Sequence, residues 1–174
     1  LPGHAVRVVN AGIPGYSSHQ GLAFYREVLA RHTPDAVIIA YGWNDLWQVR
    51  FSDAQQECLR HADAVFNRSV LFSALFRRAA GPEAYFALAA NRALCQFPAQ
   101  RVSRVALPAF RANMQALVDA VRADGGVPIL CTLPTDATRA RPGEGYFAVQ
   151  PYTAYQQLSQ YNTALRELAD AMQI

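Results

Sequence analysis

Residues 36–45 read AVIIAYGWND, an apolar run that passes directly into a short polar turn. A continuous apolar run of this length is typical of a parallel strand covered on both faces. At its end, Gly42 permits a sharp backbone turn, and the Asn44 side chain offers an amide that donates hydrogen bonds. The run therefore predicts a strand whose carboxyl end carries a polar turn, which is where α/β sheets bind ligands.

Strand and helix patterns alternate around this run. Residues 6–12, VRVVNAG, predict a short strand, and residues 18–32 carry apolar side chains at helical spacing. Later, Pro108 begins a helix that Gly125-Gly126 ends, and residues 127–134, VPILCTLP, predict a third strand.

A last helix is predicted to begin at the capping-box sequence Thr153-Ala154-Tyr155-Gln156. Apolar side chains recur at helical spacing in the last two helices. They are Phe110, Met114, Leu117, Val118 and Val121 in the first, and Tyr155, Leu158, Tyr161, Leu165, Leu168 and Met172 in the second.

This alternation predicts a single α/β domain over residues 1–174, with a three-layer, flavodoxin-like parallel sheet between helices. Residues 51–106 have no strand pattern and are interpreted as a helical insertion of two or three helices. A crossover helix normally returns the chain to its sheet. Because no strand follows the last helix, we expect the chain to be truncated at that end.

Composition narrows the classes of function. The 52% hydrophobic content fits a globular protein, and no apolar run reaches the roughly 18 residues of a membrane span. All 16 basic residues are Arg, and they are scattered rather than clustered, which argues against nucleic-acid binding. Three Cys have no metal-ligand spacing, and Cys58 and Cys95 are either a disulfide or two free thiols.

Two loops follow strands that we expect to be neighbours. The first is Asn10-Ala11-Gly12-Ile13-Pro14-Gly15-Tyr16-Ser17, and the second is Gly42-Trp43-Asn44-Asp45. A backbone N–H from the first loop and the Asn44 amide, aimed at one point, would form an oxyanion hole for acyl transfer. The alternative for Asn44 is an ordinary turn residue, since Asn is common in turns.

These loops carry a resemblance to a known family. NAGIPGYSS, followed by PDAVIIAYGWND, resembles two sequence blocks of the SGNH (GDSL-type) hydrolases. The resemblance implies that the N–H of Gly15, with Gly12 as the alternative, and the side chain of Asn44 form the oxyanion hole. It also implies that Asp45 supports the turn and that Trp43 lines the substrate pocket or packs beneath it.

The same resemblance shows what this sequence does not contain. The family's nucleophilic Ser lies in a Gly-Asp-Ser block, and its Asp and His lie three residues apart, but neither pattern occurs here. We expect these residues on flanking segments, the chain being truncated at both ends; a degenerate, inactive member is the alternative. Ser17, Ser18 and His19 are a poor substitute, and helix capping by one of the two serines is the favoured interpretation.

The resemblance implies an ester hydrolase of acyl esterase, lipase or carbohydrate deacetylase type, acting on a small-molecule or glycan ester without metal or other cofactor. The alternative is a non-catalytic module that binds an acylated glycan or protein partner. The oligomeric state is not predicted. The chain begins without Met, and its all-Arg, Ala-rich composition is typical of a GC-rich bacterium, so export or membrane association in a bacterium is one expected localisation.

Overall fold

The computed structural model describes residues 6–49, 51–57, 60, 78, 101–134 and 151–174. Within them the helices are α1 (Ser18–Glu27), α2 (Leu107–Ala123) and α3 (Pro151–Met172), with a 3₁₀ turn at Leu29–His32. The strands are β1 (Ala36–Ile39), β2 (Gln48–Val49), β3 (Val102–Ser103) and β4 (Val127–Leu130).

The strands β1 and β4 pair in parallel, with Val37 opposite Pro128 and Ile39 opposite Leu130. Successive side chains of a strand point to opposite faces, so these four residues share one face. That face packs against the helices, whereas Ile38 is 71% exposed on the other. The parallel pairing is as predicted, but the prediction that β1 is covered on both faces is wrong for the described residues.

The core lies between this covered sheet face and the helices. Helix α2 is central, because it contacts α1, α3 and β4. Pro108 lies in its first turn, where a missing N–H costs nothing. The stripe predicted for α2 is fully buried, and Leu158, Tyr161 and Leu165 of α3 pack against it. The three-layer arrangement remains a prediction.

Helix α1 begins at a capping box. The Ser17 Oγ accepts a hydrogen bond from Gln20 N at 3.4 Å, and the Gln20 side chain accepts one from Ser17 N at 3.3 Å. Two of the N–H groups at the helix start are thereby satisfied. The prediction of a capping serine is confirmed for Ser17.

A short antiparallel ribbon follows the polar turn, with Gln48 opposite Ser103 and Val49 opposite Val102. Residues 102–103 lie inside the predicted helical insertion, so this strand was not expected. Residues 53–57, 60 and 78 are helical, in line with the pattern. Most of the insertion, with Cys58 and Cys95, lies outside the described residues.

Two local predictions are wrong. Residues 6–12 form no strand, and Val6 and Val8 are 82% and 86% exposed. β-Branched residues favour an extended backbone, but a strand needs a neighbouring edge, and among the described residues β1 and β4 pair only with each other. Helix α3 begins at Pro151, so Thr153 lies inside the helix and is not its N-cap. No helix in the described ranges is long and apolar enough to cross a membrane.

Candidate functional site

The turn after β1 is organised by the carboxylate of Asp45, which is 0% exposed. Its Oδ2 accepts a hydrogen bond from Gly42 N at 3.1 Å, which closes the turn on itself. Its Oδ1 accepts from Ser18 N at 2.9 Å and from Ser18 Oγ at 2.5 Å, at the start of α1. Burial raises the pKa of this carboxyl above its usual value, and the donors from Ser18 and Gly42 act in the opposite direction.

Asn44 reaches from this turn to the first loop. Its Nδ2 donates a hydrogen bond to the backbone oxygen of Tyr16 at 3.0 Å. Since an Asn amide has two N–H donors, this contact uses one of them. The structure therefore brings Asn44 next to the loop that carries Gly15, as the sequence predicts.

The first loop is a tight turn over residues 13–16, in which Tyr16 N donates to Ile13 O at 3.2 Å. Pro14 and Gly15 occupy its two central positions, and Gly15 has φ +84°. This combination is the one that a type II turn requires, since Pro suits the first position and Gly tolerates positive φ at the second.

The two candidate glycines differ in their surroundings. Gly12 N donates to the side-chain oxygen of Asn10 at 3.0 Å. Gly15 N donates to no acceptor among the described residues, and none of their atoms lies within 4 Å of where a Gly15 Cβ would stand. The geometry thus favours Gly15 over Gly12 as the N–H that a ligand could reach.

Arg104 connects the first loop and helix α1 to the segment after β2. Its guanidinium donates to three acceptors: Gly15 O at 2.6 Å, Gln20 Oε1 at 2.5 Å and Asp53 Oδ1 at 2.7 Å. The buried Asp53 carboxylate also accepts from Ser17 Oγ. An arginine fork bonded to several groups fixes their relative positions.

The remaining residue of the turn, Trp43, is half-buried. Its ring meets that of Tyr155 on α3 edge-on, with centroids 5.2 Å apart and planes at 83°, a favourable aromatic geometry. Gly42 has φ +144°, and a Cβ there would stand 3.1 Å from Leu158 Cδ1. The turn is therefore fitted closely against α3.

The groups that donate hydrogen bonds around this turn are backbone and side-chain amides and a guanidinium. Across the described part of the chain, no group of three or more His, Cys, Asp or Glu side chains could hold a metal ion.

Comparison with known families gives one match. Residues 2–174 match the family model of the GDSL-like Lipase/Acylhydrolase family. The chain belongs to this family. Neither the curated proteins nor the solved structures that were compared with the chain gave a match.

Membership of the GDSL-like family confirms the resemblance that the sequence carries, and it suggests ester hydrolase activity. The family implies an α/β fold, in agreement with the parallel strands and the helices described above. The roles of Gly15, Trp43, Asn44 and Asp45 in this GDSL-like chain remain proposals.

Ser17 and Ser18 do not pair with His19. They donate to Asp53 and Asp45 respectively, whereas His19 Nε2 lies 2.8 Å from Glu57 Oε2. The structure thus gives the two serines a structural role and brings no Ser-His couple together at residues 17–19.

Sequence reasoning missed Arg104, Asp53 and Gln20. The Ser-x-x-Gln spacing of residues 17–20 is a capping-box signal that could have indicated Gln20. Nothing comparable marks Arg104, because it lies 89 residues from Gly15 and stands among other scattered arginines.

Proposed function

We propose that this GDSL-like protein is a carboxylic ester hydrolase in which the Gly15 N–H and the Asn44 amide hold the oxyanion. The observation that carries this is the 3.0 Å hydrogen bond from Asn44 Nδ2 to Tyr16 O, next to Gly15. It joins the two loops that would each supply one donor. Such a pair stabilises the charge that develops on the carbonyl oxygen during acyl transfer.

The chemistry assigned to the site is a two-step acyl transfer. A Ser hydroxyl attacks the ester carbonyl, and a His takes its proton as general base. The tetrahedral oxyanion then accepts from Gly15 N and from the second N–H of Asn44. The intermediate then collapses and expels the alcohol, which the His protonates. Water attacks the acyl-Ser with the His as general base, and the acid leaves as the His returns the proton to the Ser. An Asp orients the His.

The Ser, His and Asp of this mechanism are assigned to segments of the gene product that flank residues 1–174. Ser17 and Ser18 are unsuitable as the nucleophile, because each is buried and donates to a carboxylate. A nucleophilic hydroxyl needs a base as its acceptor and an open approach for the ester. By itself the segment is therefore expected to be inactive.

The neighbouring residues take supporting roles. Asp45 fixes the turn through Gly42 N and Ser18, and Trp43 lines the pocket or packs beneath it. The substrate class is an acyl ester of a small alcohol, a lipid or an acetylated carbohydrate. The single domain, with a helical insertion that ends before β3, and export or membrane association in a bacterium belong to the same proposal.

The test is an ester assay on the full product of the gene. Short-chain p-nitrophenyl esters and an acetylated oligosaccharide are offered to the wild type and to a variant that lacks the Ser found in the flanking sequence. Turnover that depends on this Ser supports the hydrolase. Saturable binding of the acetylated oligosaccharide without turnover would instead identify the non-catalytic binding module.

A further inference from the structure

We propose that Arg104 is a positioning residue that holds the Gly15 carbonyl and thereby orients the Gly15 N–H for the oxyanion. This inference rests on the proposed function. The juxtaposition that carries it is the 2.6 Å hydrogen bond from an Arg104 terminal nitrogen to Gly15 O. The backbone N–H proposed as an oxyanion donor belongs to the same residue.

Gly15 is a residue whose backbone needs an external support. Glycine has the widest choice of φ and ψ, and the space around Gly15 is open on the side where a Cβ would stand. Within its turn, Tyr16 N donates to Ile13 O, which holds the N–H side of the peptide between Gly15 and Tyr16. Arg104 holds the carbonyl side of that same peptide. The Gly15 N–H belongs to the preceding peptide, so the support reaches it through the Gly15 Cα, because the second side of the residue is then fixed.

Arg104 is itself firmly held. Its guanidinium donates to the buried Asp53 carboxylate at 2.7 Å and to Gln20 Oε1 at 2.5 Å. Its backbone N–H donates to Trp47 O at 2.7 Å, and its carbonyl accepts from Asp53 N at 2.9 Å. The side chain is 17% exposed, so its charge is largely removed from water.

Arg104 also links the loop that carries Gly15 to the segment that follows the turn with Asn44. The guanidinium contacts the loop that carries Gly15, while the Arg104 backbone is bonded to Trp47, just after the turn that carries Asn44. Arg104 thus bonds both to the residue that carries one proposed donor and to the segment that follows the turn carrying the other. A lysine in place of Arg104 keeps the charge beside Asp53, but its single ammonium cannot reproduce the planar fork.

The experiment compares Arg104→Lys and Arg104→Ala with a control, Arg111→Lys, in the full product of the gene. Arg111 lies on α2 and forms an exposed ion pair with Glu167. Two readouts are taken for each variant: the amide resonance and hydrogen exchange of Gly15 by NMR, and kcat and KM for a p-nitrophenyl ester. Stability is measured in parallel by urea unfolding.

For Arg104→Lys we expect a shifted Gly15 amide resonance with faster exchange, and kcat reduced about 10- to 100-fold with KM within twofold. The reduction is smaller than the roughly 100- to 1,000-fold loss on removing an oxyanion donor, because the donor is displaced but not deleted. Millimolar guanidinium should restore part of the kcat of Arg104→Ala. Arg111→Lys should leave both readouts unchanged.

An unmoved Gly15 amide in Arg104→Lys, or a loss confined to KM, overturns the positioning role. If Arg104→Ala does not fold, the lysine variant still decides the outcome. The NMR readout requires no turnover. A wild-type protein that hydrolyses no ester therefore rejects the proposed function, whereas the Gly15 resonance separately tests the support by Arg104.

Discussion

Ser18 and Asp45 lie 27 residues apart, and two hydrogen bonds join them: Ser18 N and Ser18 Oγ both donate to Asp45 Oδ1, at 2.9 and 2.5 Å. The first residue of α1 is therefore fastened to the turn after β1. Asn113 of α2 adds a donor to the Ser18 hydroxyl at 3.1 Å. The buried Asp45 carboxylate and the Ser18 hydroxyl thus join the turn after β1 to the start of α1 and to α2.

Asp45→Asn is expected to lower the free energy of unfolding by about 1–3 kcal/mol, since an amide accepts at only one of its two positions and leaves a buried N–H unpaired. Urea unfolding followed by circular dichroism measures the change. Asp119→Asn is the control, because Asp119 is an exposed residue of α2. Equal stabilities of these two variants would contradict the role given to the Asp45 carboxylate.

Asn44→Ala is expected to reduce kcat about 100- to 1,000-fold in the full gene product, because one oxyanion donor is lost. KM should change little, and the protein should stay folded with a loss of stability of about 1 kcal/mol, because one hydrogen bond is missing. Asn113→Ala is the matched control: it also removes a half-buried amide that makes one hydrogen bond, at 3.1 Å, but it does not touch the Gly15 loop. An Asn44→Ala enzyme with wild-type kcat would exclude the proposed oxyanion role.

Gly42→Ala should be more destabilising than Gly125→Ala. Both glycines have positive φ, at 144° and 83°, but a Cβ on Gly42 also stands 3.1 Å from Leu158 Cδ1, while none lies near Gly125. We expect a loss of about 2–3 kcal/mol at Gly42 and about 1 kcal/mol at Gly125. Thermal unfolding of the two variants ranks their stabilities. A more stable Gly42→Ala variant would contradict the close packing of α3 against the turn.

Tyr161→Phe tests a pH dependence. Burial raises the pKa of Tyr161 from 10.0 to about 12. A raised pKa in the folded state gives stability that is complete below pH 10 and is lost as pH rises towards 12. The wild type should thus lose about 2 kcal/mol more than Tyr161→Phe over this interval.

Urea unfolding at pH 9, 10, 11 and 12 gives the two pH profiles, with pH values chosen to bracket the two pKa values. Tyr25, whose pKa is also raised to about 12, is present in both proteins, so its contribution cancels in the difference. At neutral pH the variant should be about 1 kcal/mol less stable, because the 2.7 Å hydrogen bond to Val105 O is missing. Parallel profiles would contradict the prediction.

Helices α1 and α2 show which features can be predicted from neighbouring residues alone. The 3.6-residue repeat of apolar side chains along α2 specifies its buried stripe from Phe110 to Val121, whatever it packs against. The capping of α1 by a serine likewise depends only on residues at the start of that helix. These predictions succeeded because all the information lies within a few turns of one helix.

Residues 6–12 and the Arg104 network show where local pattern fails. A β-branched sequence favours an extended backbone, but whether it becomes a strand depends on a neighbouring edge elsewhere in the chain. The partners of Arg104 lie 51 to 89 residues away. Neither the periodicity nor the spacing of residues in the sequence predicts contacts over such separations.

The sequence by itself determined the family, the helical stripes, the strand that precedes Gly42 and the closeness of the turn that carries Asn44 to the loop that carries Gly15. These depend on short motifs and on the spacing of apolar residues. Only the tertiary structure decided that Gly15 rather than Gly12 keeps its N–H available, that Asp45 and Asp53 bind the two serines, and that Arg104 supports the loop. The physical reason is that a hydrogen bond or an ion pair depends on distance in space, which the folded chain sets.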